Sequence, residues 1–472
     1  MAVFFSVLAL GPQMLNIDGD LPRHLLMGKY VMETGSIPTL EIFAYPYEGE
    51  TYVSHEWLAG VLYFSFYILL GLNGVVLLAG VLIACAFAAI YSYATIITDT
   101  LHLPNVLLVL LGAAVTSIHW IVRPHLFSML FLVVWLIWLD HLSRGERFGL
   151  WRFPALMFLW ANIHAEFIAG FLALLAYIAG WSWQYVFNRA GVSRAAGRDL
   201  FIITTSSLPA SLINPSGIRV WETLFGYVNN TYLMTRIAET RPPDFSQPAD
   251  TPLLILLVLS ALLFLPKRKN FTTAQTFLLA GFAGMTLVSA RNAHLFGVVA
   301  PLILPVAFGG ASIFQPLKFL EEAMKRIEHQ ARGNSHLIPI VVLAGALMLA
   351  GPLRNVNRFE PSVFPVQAVA WLKTNPQPGR MFNEFDWGGY ILFHLWPREK
   401  VFIESQTDTR GDLTRQYEEV VTLGNGWRKI LEQYEIGWVI IPVDSPLANA
   451  LASDSEWAAA YQDQTAVILI RK

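Results

Sequence analysis

Charge is what this sequence lacks most. Only 14% of its 472 residues are Asp, Glu, Lys or Arg, while 55% are hydrophobic. Soluble domains carry about 25% charged residues, so the deficit points to a bilayer as the surrounding solvent. Cysteine is nearly absent too. Cys85 stands alone inside an apolar run, which excludes a disulfide framework and a cysteine-built metal site. No internal repeat or low-complexity stretch is found, and a net charge of −2 carries no information about partners. What the sequence does have is long apolar runs, such as 74–97 and Phe167–Phe187. Each is long enough to cross a hydrocarbon core, which takes roughly 20 residues. They recur too often for a signal peptide or single anchor. The fold class is therefore an α-helical polytopic membrane protein.

Apolar segments fall near 2–15, 57–72, 74–97, 105–119, 126–140, 154–163, 167–187, 200–213, 252–265, 272–290, 294–312 and 337–352. Several are too short for a full span, so some helices are short, tilted or re-entrant. Basic clusters set the orientation. Arg144, Arg147 and Arg152, then Arg189, Arg194 and Arg198, then Lys267, Arg268 and Lys269, then Lys318, Lys325, Arg326 and Arg332 mark four cytoplasmic loops. The acidic loop 16–56, "NIHAE" (162–166), loop 214–250, "ARNAH" (290–294) and everything beyond about 353 then lie outside. Parity requires one of the four segments between residues 57 and 140 to be re-entrant or merged, with 105–119 the first choice. The first segment is short and no basic residue precedes it, which leaves room for an upstream start. The tail, 353–472, reads as a small α/β domain. Its helices are "VQAVAWLK" and "DLTRQYEEVVTLGNGWRKILEQY", and its strands are "KVFIES", "GWVIIP" and "TAVILIRK".

Ionisable residues cluster where the apolar runs stop. Asp18 and Asp20 sit two residues apart at the outer end of the first run. Carboxylates this close repel unless a proton or cation intervenes. One of them can act as a general base on an acceptor hydroxyl or amine, with His24 a short helical reach away. Alternatively the pair holds a divalent cation that clamps a phosphate, or it is a solvated helix end. "SHEWLAG" adds His55 and Glu56, which can orient a sugar or complete a metal shell. Glu56 is equally a helix N-terminal acid favoured by the dipole, and Trp57 an interfacial anchor. Arg123 and His125 in "HWIVRPHLFS", Asn162, His164 and Glu166 in "WANIHAEFIAG", and Arg291, Asn292 and His294 in "SARNAHLF" lie between apolar runs. Ionisable groups at such depth default to function. The arginines can grip a phosphate, or else snorkel at helix ends. In the tail, Asp386 before "WGGY" reads as a turn opening a helix, and Glu404 and Asp408 as acids at a strand end nearby.

The segments "DGDLPRHLLMGKYVMETGSIP", "HEWLAG", "RPHLF", "NIHAEF", "NPSG" and "DWGGY" resemble a bacterial group of GT-C-like proteins over nearly the whole chain. More broadly, the layout resembles the GT-C superfamily of integral-membrane glycosyltransferases. An acidic pair follows the first helix, then come a long external loop, about 11–13 transmembrane helices and a soluble C-terminal domain. The resemblance implies a transmembrane domain over 1–352 with an external first loop 16–56, and an extracytoplasmic α/β domain over 353–472. It implies inverting transfer of a sugar from a polyprenyl-phosphate carrier to a glycan, lipid or protein acceptor. The chain would sit in a bacterial cytoplasmic membrane, and no nucleic acid is expected as partner. Asp18 best matches the catalytic acid, with Asp20 close behind, and Arg123 and Arg291 are phosphate-binding candidates on position and charge. Two other classes stay open: a transporter or flippase of a lipid-linked or anionic substrate, and a non-catalytic envelope scaffold.

Overall fold

A computed structural model describes residues 1–98, 102–187, 193–236, 238–308, 319–320, 322–323, 325–326, 337–350, 356–406 and 411–472. Arg189, Lys318, Arg332 and Asp408, named above, lie outside the described residues, as do 309–312 and 351–352 of the last two apolar segments. The chain divides into two compact units. One gathers Met1–Ala9, Leu77–Asn214 and Ile237–Gly351; the other gathers Leu10–Val76, Pro215–Arg236 and Pro352–Lys472.

The first unit is helical. Among the described residues of the chain, five helical stretches are long and apolar enough to cross a membrane: Leu72–Thr98, which begins in the second unit, His125–Ser143, Phe167–Phe187, Pro248–Asn270 and Ala290–Phe308. Leu103–Ser117 and Thr273–Val288 are apolar but shorter. Small residues let these helices approach closely, as membrane helices require when no hydrophobic drive pulls them together. A Cβ on Gly112 would fall 2.5 Å from the Gly297 carbonyl oxygen, so His102–Ser117 and Ala293–Ile303 cross nearly backbone to backbone. Gly180 does the same against Ala274, bringing Phe167–Phe187 onto Thr273–Val288. On Thr251–Lys267, Val258, Leu262 and Leu265 remain exposed, an apolar face that suits lipid.

The second unit is mixed. Leu10–Val76 opens with the helix Gly11–Leu15, separated from Ala2–Ala9 where Gly11 and Pro12 restart the chain. Two longer helices, Asp20–Thr34 and Trp57–Leu70, pack through Gly28 and Gly60; a Cβ on Gly28 would sit 2.1 Å from the Gly60 oxygen. Gly71, at φ +62°, turns the chain out of Trp57–Leu70 and into Leu72–Thr98. The tail forms a four-stranded sheet of β1 (Arg380–Asn383), β2 (Ile436–Pro442), β3 (Trp457–Gln462) and β4 (Ala466–Arg471) in the order β1-β2-β4-β3. β1 runs parallel to β2, and the other pairs are antiparallel. Phe382, Phe402, Val420, Val439 and Leu469 fill the core beneath it.

Three details differ from the sequence expectation. "KVFIES" is not a sheet strand. Asn383 accepts the Phe402 N–H at 2.9 Å and donates to the Ile403 carbonyl at 2.9 Å, while Val401 pairs with Phe43 and Tyr45 of the first loop. The long tail helix breaks into Gly411–Val421 and Trp427–Gln433, because Leu423 takes φ +56° and the Glu419 carboxylate accepts the Gly426 N–H. "WAAAYQ", not among the strands expected from the sequence, forms β3 through pairing with β4, where tertiary context overrides alanine's preference.

Candidate functional sites

In the second unit the acidic pair opens the helix Asp20–Thr34. Asp18 Oδ1 accepts the Asp20 N–H at 2.9 Å, so one oxygen is engaged in closing its own turn. Both carboxylates are half-buried. Between them Gly19 is buried, and a Cβ there would lie 2.1 Å from the Asp386 carbonyl oxygen. Gly389 approaches the same turn from the other side, its Cβ position 2.6 Å from the Gly19 oxygen. A Cβ on Gly388 would in turn lie 2.2 Å from the Ile403 oxygen and 2.8 Å from Glu404 Cβ. The glycines of "DGD" and "DWGGY" are thus there because backbones touch.

A buried ion pair fastens the same contact. Arg23 Nε lies 3.0 Å from Glu404 Oε2, with both side chains sealed from solvent, and its guanidinium also donates to Tyr52 and to Gln406 Oε1 at 3.1 Å. The guanidinium carbon sits 4.4 Å from the centre of the Phe43 ring, a cation–π contact. Burial pushes the Glu404 carboxyl up; Arg23 and the Gln406 N–H pull it back down, and Glu41 pushes it up again. Expected above at a strand end near the turn, Glu404 is fully enclosed and faces Arg23. A helical step along, His24 Nε2 and His55 Nε2 flank Glu56 at 3.8 and 3.6 Å, and Tyr63 packs near His24. Among the described residues, no three His, Cys, Asp or Glu side chains are grouped to hold a metal ion.

The first unit holds a second constellation. Glu166 lies between two imidazoles, Oε1 3.1 Å from His294 Nε2 and Oε2 3.4 Å from His164 Nδ1. Ser128 pairs with His164 Nδ1 at 2.9 Å and accepts the Trp160 indole N–H at 2.8 Å. His294 Nδ1 meets the Arg291 carbonyl at 2.7 Å, and His125 Nε2 meets the His119 carbonyl at 2.6 Å. The rings of His119 and His125 stand 5.2 and 5.3 Å from that of His294. Arg123 and Arg291 both face Glu239 Oε1, at 3.9 and 3.6 Å. Glu239 is held from behind by its carbonyl, which accepts Ser289 Oγ–H at 3.2 Å.

The structure thus brings His24, His55 and Glu56 together in one unit, and His125, His164, Glu166 and His294 in the other. The Asn162 amide donates to the Phe158 and Ile213 carbonyls at 2.8 and 2.9 Å. The Asn292 amide likewise donates to the Met285 carbonyl at 3.1 Å. Arg23, Glu239 and His119 were not singled out from the sequence. His119 was within reach, since it shares "HWIVRPH" with Arg123; Glu239 carries no local signal beyond a charge beside Arg241.

No family profile and no curated protein matches the sequence. Solved structures match in fold. The apo oligosaccharyltransferase of Archaeoglobus fulgidus aligns over 93% of this chain and 70% of its own, with a TM-score of 0.56 and 12% identity. The oligosaccharyltransferase AglB of the same organism, in complex with an inhibitory peptide and a dolichol-phosphate, aligns over 94% and 69%, with 0.55 and 12%. ArnT from Cupriavidus metallidurans bound to undecaprenyl phosphate aligns over 99% and 96%, with 0.53 and 15%. The chain is a multi-pass membrane protein with the fold of the GT-C glycosyltransferases.

Proposed function

We propose that this protein is a glycosyltransferase that moves a sugar from a polyprenyl-phosphate carrier to an acceptor at the outer face of a bacterial cytoplasmic membrane. The observation that carries the reading is the shared fold, over more than nine-tenths of the chain, with two structures that contain a polyprenyl-type phosphate. In this reading the 1–352 region spans the membrane and the 353–472 region lies outside it.

The chemistry is inverting displacement. A carboxylate, Asp18 or Asp20, takes the proton of an acceptor hydroxyl or amine. The acceptor atom attacks the anomeric carbon, the bond from that carbon to the phosphate oxygen breaks, and the lipid phosphate leaves with the electron pair. Asp18 has one oxygen committed to the Asp20 N–H, which orients its carboxylate. Arg123 and Arg291 are the groups proposed for the phosphate, since a guanidinium pair matches its charge and oxygen geometry. His24, His55 and Glu56 are proposed to contact the sugar or acceptor. Glu166, with His164 and His294, is proposed to hold the Arg291 turn in place, and His125 to brace the Arg123 connection.

The test is transfer from polyprenyl-phosphate sugars by the full chain in nanodiscs. Asp18→Asn or Asp20→Asn is expected to lower turnover by about 10²–10⁴-fold, the usual contribution of a general base, without moving the unfolding midpoint. Full activity in both variants would remove the assignment of the base.

A further inference from the structure

A polar cleft of about 750 Å³ lies in the second unit, lined by Tyr47, Gly49, Glu50, Thr51, Asn230, Asp412 and Arg415. Its volume falls in the ~300–1,000 Å³ range of small-molecule sites. Three separate stretches of chain build it. The first is the turn 45–51, where Gly49 takes φ +82° and donates its N–H to the Glu41 carbonyl at 2.9 Å, and where Lys400 Nζ meets Glu48 at 2.5 Å. The second is the stretch around Asn230, pinned by Tyr232, whose hydroxyl donates to Glu418 at 2.5 Å and whose ring lies under Arg415 at 4.5 Å. The third is the first turn of Gly411–Val421, where Arg415 pairs with Asp412 at 3.6 Å. Lys400 with Glu48 and Tyr232 with Glu418 thus brace two walls from outside the cleft, and Arg415 with Asp412 ties the third from within it.

The lining selects a class of ligand. Among the described residues that line it, two carboxylates face one guanidinium, a balance that disfavours a phosphate or another anion. Among the described residues that line it there is no Ala, Val, Leu, Ile or Met, so an acyl or prenyl chain would find little apolar surface there. Glu50 and Asp412 accept hydrogen bonds, Arg415 donates, and Thr51 and Asn230 do both. Tyr47, half-buried against the tail core, adds an aromatic side chain. A ligand that donates and accepts along its whole length, and carries no charge, matches that set: an oligosaccharide.

We infer that this cleft is a subsite for a neutral, hydroxyl-rich glycan acceptor, an inference that rests on the transferase reading and narrows its acceptor to carbohydrate. The lining charges are exposed, Asp412 at 85% and Arg415 at 59%, so their removal leaves the fold intact. The experiment uses the full chain in nanodiscs with neutral malto-, cello- and chitooligosaccharides as probes, read by saturation-transfer NMR. Undecaprenyl phosphate and a short peptide serve as comparison probes. At least one oligosaccharide is expected to bind the wild type, and Glu50→Gln with Asp412→Ala, or Arg415→Ala alone, is expected to weaken it tenfold or more. Undecaprenyl phosphate binding should stay unchanged in those variants. Absence of binding by every oligosaccharide, undiminished binding in the variants, or displacement of the sugar by the peptide would each overturn the inference. Failure of the transferase reading looks different: oligosaccharide binding would persist while the wild-type chain transferred no sugar from any polyprenyl-phosphate donor.

Discussion

Two arginine–carboxylate clusters in this molecule differ most in their access to water. In the second unit Arg23 and Glu404 are 4% and 0% exposed, 3.0 Å apart, with Tyr52, Gln406 and Phe43 closing the remaining sides. In the first unit Arg123, Glu239 and Arg291 are 25%, 28% and 37% exposed, and the ion pairs are looser, at 3.9 and 3.6 Å. A sealed pair can exchange with nothing, so it holds backbone in place. A half-open cluster in which two guanidiniums face one carboxylate is within reach of an entering anion. The same residue types thus serve as a fastener in one unit and as a proposed binding group in the other.

The largest expected effect tests the sealed side. Breaking a buried pair by removing one partner leaves an uncompensated charge and costs ~3–5 kcal/mol. Glu404→Leu should therefore lower the unfolding midpoint of the purified chain sharply. Replacing both members, Arg23→Met with Glu404→Leu, should recover much of the loss. A double variant as unstable as the single one would mean that packing, not charge, holds this contact. The open side is expected to respond in binding rather than stability. Arg123→Ala or Arg291→Ala should raise the Kd for undecaprenyl phosphate about ten- to a hundredfold, the equivalent of ~1.5–3 kcal/mol, with the midpoint nearly unmoved. Glu239→Gln should tighten the same binding by removing the competing carboxylate. Unchanged affinity in all three variants would separate these arginines from the phosphate.

A comparable change in stability should come from the glycine contacts beside the sealed pair. Gly19→Ala forces a methyl group toward a carbonyl oxygen 2.1 Å away, and overpacking of this kind costs ~1–3 kcal/mol. A midpoint equal to wild type would show that the Asp18–Asp20 turn is free to shift. The smallest effect is on pH dependence. Burial, with help from Lys373 and Lys29, lowers the His394 imidazole to about 4. Between pH 4 and the ordinary value of about 6.5 the unfolded chain then binds more protons, so stability is lost as pH falls across that window. His394→Phe should flatten the slope of midpoint against pH there, by a few degrees at most; an unaltered slope would move the titrating group elsewhere.

Much of the architecture was legible because it is written in local pattern. Runs such as Phe167–Phe187 and Leu72–Thr98 are helical for reasons of composition and length alone, and Asp386 before "WGGY" does open the helix Gly388–Leu395. Local pattern failed where a distant partner decided. "KVFIES" has strand composition, yet Asn383 and the first loop took its backbone groups. That the external first loop packs in one unit with the tail is not written in local pattern either, since Gly19, Asp386 and Gly389 interlock there and Arg23 meets Glu404. In the candidate sites, His164, Glu166 and His294 were visible as polar residues among apolar runs, whereas Glu239 was not, because nothing near it in sequence signals the two arginines it faces.

The sequence by itself determined a membrane-solvated helical chain with an α/β tail, because apolar periodicity and charge depletion are properties of neighbouring residues. Which carboxylates are sealed and which stay open was decided by tertiary structure alone. Burial and pairing depend on groups hundreds of positions away, as Arg23 and Glu404 are, and a side chain's dielectric surroundings exist only once those groups have met.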